Sequence, residues 1–165
     1  DGPPPVWCIQ YLAYKIGESF VKVQNHKGDI YGKVYVARKL LEIERNESGL
    51  FTDQCAAKLQ RFKIGKDTEA YYYYAGCLTP ALAHQVQALA SVQRLKFLQK
   101  MGLPPGTGVF MLPPAHIHAS ARRYGTKLFF AHFWETAYRR HYGTEPPLPY
   151  PVQHLGHVHV IPAPT

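Results

Sequence analysis

Acid is what this chain has least of where it matters: from Ala70 to Thr165 there are two carboxylates, Glu135 and Glu145, against eight Lys and Arg. The first 69 residues hold eleven basic and nine acidic side chains and nearly cancel, so formal +6 of the total +8 belongs to the acid-poor stretch. Charge of one sign concentrated in this way recruits anions, and the expected partner is a nucleic acid, DNA or RNA, held by its phosphates.

Other scarcities narrow the classes further. No apolar run approaches the roughly 18 residues that span a bilayer, so no membrane partner is expected. Cysteine is limited to Cys8, Cys55 and Cys77 at wide spacings with no C-x-x-C pair, which excludes a zinc knuckle or dithiol redox centre and points to a reducing intracellular compartment: cytoplasm, nucleus or organelle matrix. The nucleophile frame G-x-S-x-G, the phosphate loop and the H-E-x-x-H zinc helix are all absent. Charged residues are only 18% while aromatics reach 13% and apolar residues 46%. That composition builds a core and argues against disorder.

What is present reads as a mostly α protein: a single multi-helical domain over 1–165 with a small β or extended component and Pro-rich extended ends, 102–114 being the one place for an internal linker. Val6–Val23 has Trp7, Tyr11 and Tyr14 on one face and a break expected near Gly17. Val34–Asn46 is amphipathic, with Val36, Leu40 and Ile43 between charged residues. Thr52 is expected to cap a short helix. The run Tyr71–Tyr74 suits strand or helix equally, since four residues carry no resolvable period.

Thr79-Pro80 is a strong helix start, a cap followed by proline at the first position. Leu82, Val86, Leu89, Val92, Leu95 and Leu98 then predict one long helix to Gly102. Pro113-Pro114 predicts a helix to Tyr124, Gly125 a stop, and Thr126 the cap of a further aromatic helix ending at Tyr142, so that 114–142 would be a helical hairpin. The prolines of 145–151 predict extended chain, and Val152–Ile161 a short strand or tail.

Four clusters of cations are the expected phosphate contacts: Lys58, Arg61, Lys63 and Lys66 before the tyrosines; Arg94, Lys96 and Lys100 on the long helix; Arg122, Arg123 and Lys127 around Gly125; Arg139 and Arg140 closing the aromatic helix. With tyrosine rings available for stacking on bases, they suggest a basic, Tyr-rich face in a subunit of a nucleoprotein assembly. The Pro-rich ends would dock protein partners.

A second class is a divalent-metal-dependent nuclease or strand transferase. His157 and His159 would share one side of a strand, with His154 as a third ligand. His116 and His118, about 200° apart on a helix, cannot chelate together. Cys8 near a helix start is the only candidate thiol nucleophile. No cofactor is expected otherwise, and a third class is an interaction protein that meets an acidic partner protein.

Overall fold

The structure is a computed structural model that describes residues 6–148, 150–156 and 161–164. Among them lie eight helices and no strand: α1 (Val6–Val23), α2 (Tyr31–Glu47), α3 (Thr52–Arg61), α4 (Glu69–Tyr74), α5 (Pro80–Ala88), α6 (Ser91–Met101), α7 (Pro114–Tyr142) and α8 (Tyr150–His154). The mostly α expectation holds, while the small β component has no counterpart among the described residues. Contacts group the chain into two compact units, Asp1–Tyr35 with Arg122–Thr165, and Val36–Ala121.

The unit Val36–Ala121 is built on two apolar clusters. Tyr73, Leu78, Ala83, Val86, Leu98 and Met111 form one; Cys55, Tyr74, Leu112 and Ile117 form the other. The tyrosine run is thus helical, and its last two residues, about 100° apart, feed different clusters. Thr68 starts that helix by accepting from the Tyr71 amide at 3.4 Å, as Thr79 does for α5 by accepting from Leu82 at 3.3 Å.

The long helix expected from Pro80 to Gly102 is two helices. Leu89 and Ala90 are extended, with ψ of 153° and 142°, and the carbonyls freed at the break are taken by Arg94. Its Nε donates to Leu89 O and its Nη2 to Gln87 O, both at 3.0 Å. Such pairing satisfies acceptors that a helix end leaves without an intrahelical donor.

Residues 103–113 have no helix but are tied down by backbone donors. Gly106, Gly108, Val109 and Met111 donate to Ala75, Gly76, Leu78 and Tyr73 carbonyls at 2.9, 2.8, 2.8 and 3.1 Å. Leu112 exchanges two hydrogen bonds with the buried Asn46 side chain: its amide donates to Oδ1 at 2.7 Å and its carbonyl accepts from Nδ2 at 3.0 Å. Glu42, also buried, accepts from Arg38 Nε at 2.7 Å and Ser120 Oγ at 3.0 Å, so neither polar side chain is left unsatisfied.

The other unit sets α1 and the start of α2 against α7 from Arg122 onward. Phe20, Tyr31 and Phe129 form a ring triad with centroids 5.1, 5.6 and 5.3 Å apart. His132 fixes this end: Ile161 O, only an acceptor, lies 2.8 Å from Nε2, so the proton sits on Nε2 and the Tyr31 hydroxyl donates to Nδ1 at 3.0 Å. Burial raises the Tyr31 pKa.

Two glycines expected to interrupt helices do not. Gly17 lies inside α1, where an added Cβ would come 2.7 Å from Thr126 Oγ1 and 2.8 Å from Arg122 Cγ; it lets α1 approach α7. Gly125 lies inside α7, and a Cβ there would sit 3.5 Å from Tyr31 O. Thr126 does not cap a helix, since its Oγ1 donates back to Arg122 O at 3.0 Å. The hairpin expected over 114–142 is therefore one continuous helix. Thr52 is likewise no cap: its hydroxyl donates to Gly49 O at 2.7 Å. In the Pro-rich end, where extended chain is expected over 145–151, residues 145–148 have no regular structure and Tyr150–His154 is helical.

Candidate nucleic-acid interface

The twelve cations picked from sequence divide by what holds them. Arg94 is occupied at the α5–α6 break, with Glu69 3.9 Å away. Arg122 donates to Glu18 and lies over the Tyr14 ring at 4.4 Å, so it binds α1 to α7. Arg139 is clasped by Glu145 at 2.8 Å and Glu135 at 2.7 Å; the hydrogen bonds it donates to Glu145, with the charge of Glu135 behind them, raise its pKa. These three are structural.

The remaining nine meet no carboxylate among the described residues. Lys58 and Arg61 flank the exposed Phe62 ring at 4.8 and 5.4 Å, and Lys63 and Lys66 follow on the exposed loop. Lys96 and Lys100 are exposed on α6, Arg140 near the end of α7.

Arg123 and Lys127, exposed and one turn apart on α7, border a cleft of about 360 Å³. Its α1 wall is Gln10, Ala13 and Tyr14; its floor includes Thr126 and Phe130. Here a cationic rim meets aromatic surface, the combination that takes up phosphates and bases. The α1 wall was only half legible in sequence. The spacing of Trp7, Tyr11 and Tyr14 marked an aromatic face, but nothing local said that Arg122 would reach it.

The described histidines are not gathered at one site. His116 Nδ1 is 3.1 Å from the Tyr74 hydroxyl on the core side of α7. His154 ends α8, not a strand, and His157 and His159 lie outside the described residues. Among the described residues no group of three or more His, Cys, Asp or Glu could hold a metal.

Cys8 is half-buried in the first turn of α1, while Cys55 and Cys77 are buried. Burial pushes the Cys55 thiol from its ordinary 9.0 up to about 11 and raises Cys77 as well. In the native protein at pH 8, Cys8 is expected to react first with a disulfide reagent, the other two only on unfolding. The unfolded Cys55 thiol ionises from 9.0 and the folded one not until about 11, so its contribution to stability is complete below pH 9 and is lost as pH rises through that window. Melting temperatures across pH 8–11, in parent and Cys55→Ala, check this: the decline should be shallower in the variant.

Comparison with protein-family models, with curated proteins and with solved structures finds no match to this chain. No described helix is long and apolar enough to cross a membrane.

Proposed function

We propose that this protein binds nucleic acid by its phosphates, through cations that its own fold leaves uncommitted. One observation carries the reading: the carboxylates of the acid-poor region, Glu135 and Glu145, are both consumed by Arg139, which leaves Arg123, Lys127 and Arg140 facing solvent without an acid opposite. A face that existed only for solubility gains nothing from having its acids removed; a phosphate-binding face does. The reading stands on charge, exposure and the cleft between α1 and α7.

The test is a titration of labelled oligonucleotides at several salt concentrations. With about six contacts, log K should fall against log salt with a slope of about −5 on a duplex and about −4 on a single strand, because each neutralised phosphate releases its condensed counterions. Binding that is absent at low salt, or indifferent to salt, rejects the proposal.

A second reading has its own observation. Trp7, Ile9, Tyr11 and Leu12 at the start of α1 are all more than half exposed, Trp7 at 68%. So much apolar surface on one helix suits a protein partner, and subunits of nucleoprotein assemblies carry both kinds of surface. The two readings separate cleanly, since apolar docking is insensitive to salt.

A further inference from the structure

The continuous course of α7 creates an alignment that a hairpin would have destroyed. At about 100° per residue, Arg123, Lys127, Trp134, Tyr138 and Tyr142 fall within an arc of about 100° and cover about 28 Å of helix length. The buried Gly125 and His132 lie on the opposite side. The stripe is open: Trp134 is 46% and Tyr142 62% exposed. Its rings form a ladder, Trp134 to Tyr138 at 5.4 Å and Tyr138 to Tyr142 at 4.6 Å between centroids, with interplanar angles of 46° and 45°. Between Arg123 and Tyr142 the only carboxylate is Glu135, and Arg139 holds it.

Resting on the nucleic-acid reading above, we propose that this stripe is a track for single-stranded nucleic acid, in which Arg123 and Lys127 take phosphates and the Trp134–Tyr138–Tyr142 ladder stacks unpaired bases. Cations alone fit any polyanion, and a duplex presents phosphates while hiding its base faces. Exposed rings spaced along one helix face, next to cations, suit a polyanion whose rings are also exposed. Beside Trp134 a cleft of about 540 Å³, lined also by Pro146, Pro147 and Leu148, adds a recess of the size that ring-shaped ligands occupy. Tyr14, under Arg122 at the other end, extends the aromatic surface across the α1 wall. Charge complementarity therefore selects the polymer, and the ladder selects its single-stranded form.

The chain has two tryptophans, so Trp7→Phe leaves Trp134 as the sole indole reporter without touching the stripe. Titrated at low salt with a thymidine 12-mer, a duplex of equal length and vesicles of anionic lipid, this variant should show Trp134 quenching with the single strand only. In the otherwise unaltered chain, Trp134→Ala should weaken single-strand binding at least about fivefold, the low end for loss of one stacked base, and leave duplex binding unchanged. Equal, salt-dependent binding of both oligonucleotides with no quenching overturns the single-strand assignment and leaves the nucleic-acid reading intact. Vesicle binding with no oligonucleotide binding overturns both. The quenching arm stands whether or not Trp134→Ala folds.

Discussion

Reversing two charges, Arg123→Glu with Lys127→Glu, should lower affinity for single-stranded nucleic acid about a hundredfold at 50 mM salt, since each lost phosphate contact forfeits close to one decade there and the new carboxylates repel. The salt slope should become less negative by about 1.4. Both side chains are exposed and neither meets an acid, so melting should stay near that of the parent, exposed substitutions costing under about 0.5 kcal/mol each. Arg122, their neighbour, does not belong in that variant. Its removal would strip Glu18 and Tyr14 of their partner, and a binding loss would then be indistinguishable from loosening of α1. A melt unchanged together with unchanged affinity places the phosphate contacts elsewhere, with Lys58, Arg61, Lys63 and Lys66 the next group to reverse.

The largest effect on stability is expected at Asn46. Asn46→Ala removes the side-chain partners of the Leu112 amide and carbonyl, at 2.7 and 3.0 Å, in a site where both residues are buried. Leaving buried polar groups unsatisfied costs about 1–3 kcal/mol each. A total of about 3 kcal/mol lowers the melting temperature by about 6–12 °C in a chain of this size. Calorimetry measures it directly, and a fall below about 3 °C would mean that the irregular segment re-pairs elsewhere.

Much of the helical content was legible because periodic apolar residues need no tertiary information. Thr79-Pro80 began α5 as its chemistry demands, and α2 spans the stretch its pattern marked. The errors share one cause, which is that glycine and apolar spacing each serve two masters. Gly102 stops α6 in the left-handed conformation, φ 60°, whereas Gly17 sits inside α1 because α7 comes too close for a side chain, and Gly125 sits inside α7 where a Cβ would meet only ordinary contacts. A sequence shows the missing Cβ and not which need it meets. Likewise Leu89 and Val92 keep step with Leu82 and Val86 across a break that Arg94 stabilises by bonds to carbonyls five and seven residues away, and no local rule assigns a guanidinium to carbonyls.

The cations show the same division. Counting them gave the net charge, but which of them are spent inside the fold depends on what arrives beside them: Glu18 from α1 for Arg122, Glu135 and Glu145 for Arg139, and the Gln87 and Leu89 carbonyls for Arg94. The site thus became legible only by subtraction, once Arg94, Arg122 and Arg139 were accounted for. The aromatic ladder was hidden for a simpler reason. Reading Gly125 as a stop split Arg123 from Trp134, and with them the two halves of one stripe.

The stretch 103–113 has no regular structure, and its composition of glycine and proline suggests slack. Its amide protons tell otherwise. Those of Gly108, Val109 and Met111 are bound to carbonyls around α4 and the loop that follows it, and that of Leu112 to Asn46. Such protons escape to solvent only when the surrounding helices part. In hydrogen exchange this segment should therefore behave as core, giving up its protons on the timescale of global opening, far more slowly than its want of helix would suggest.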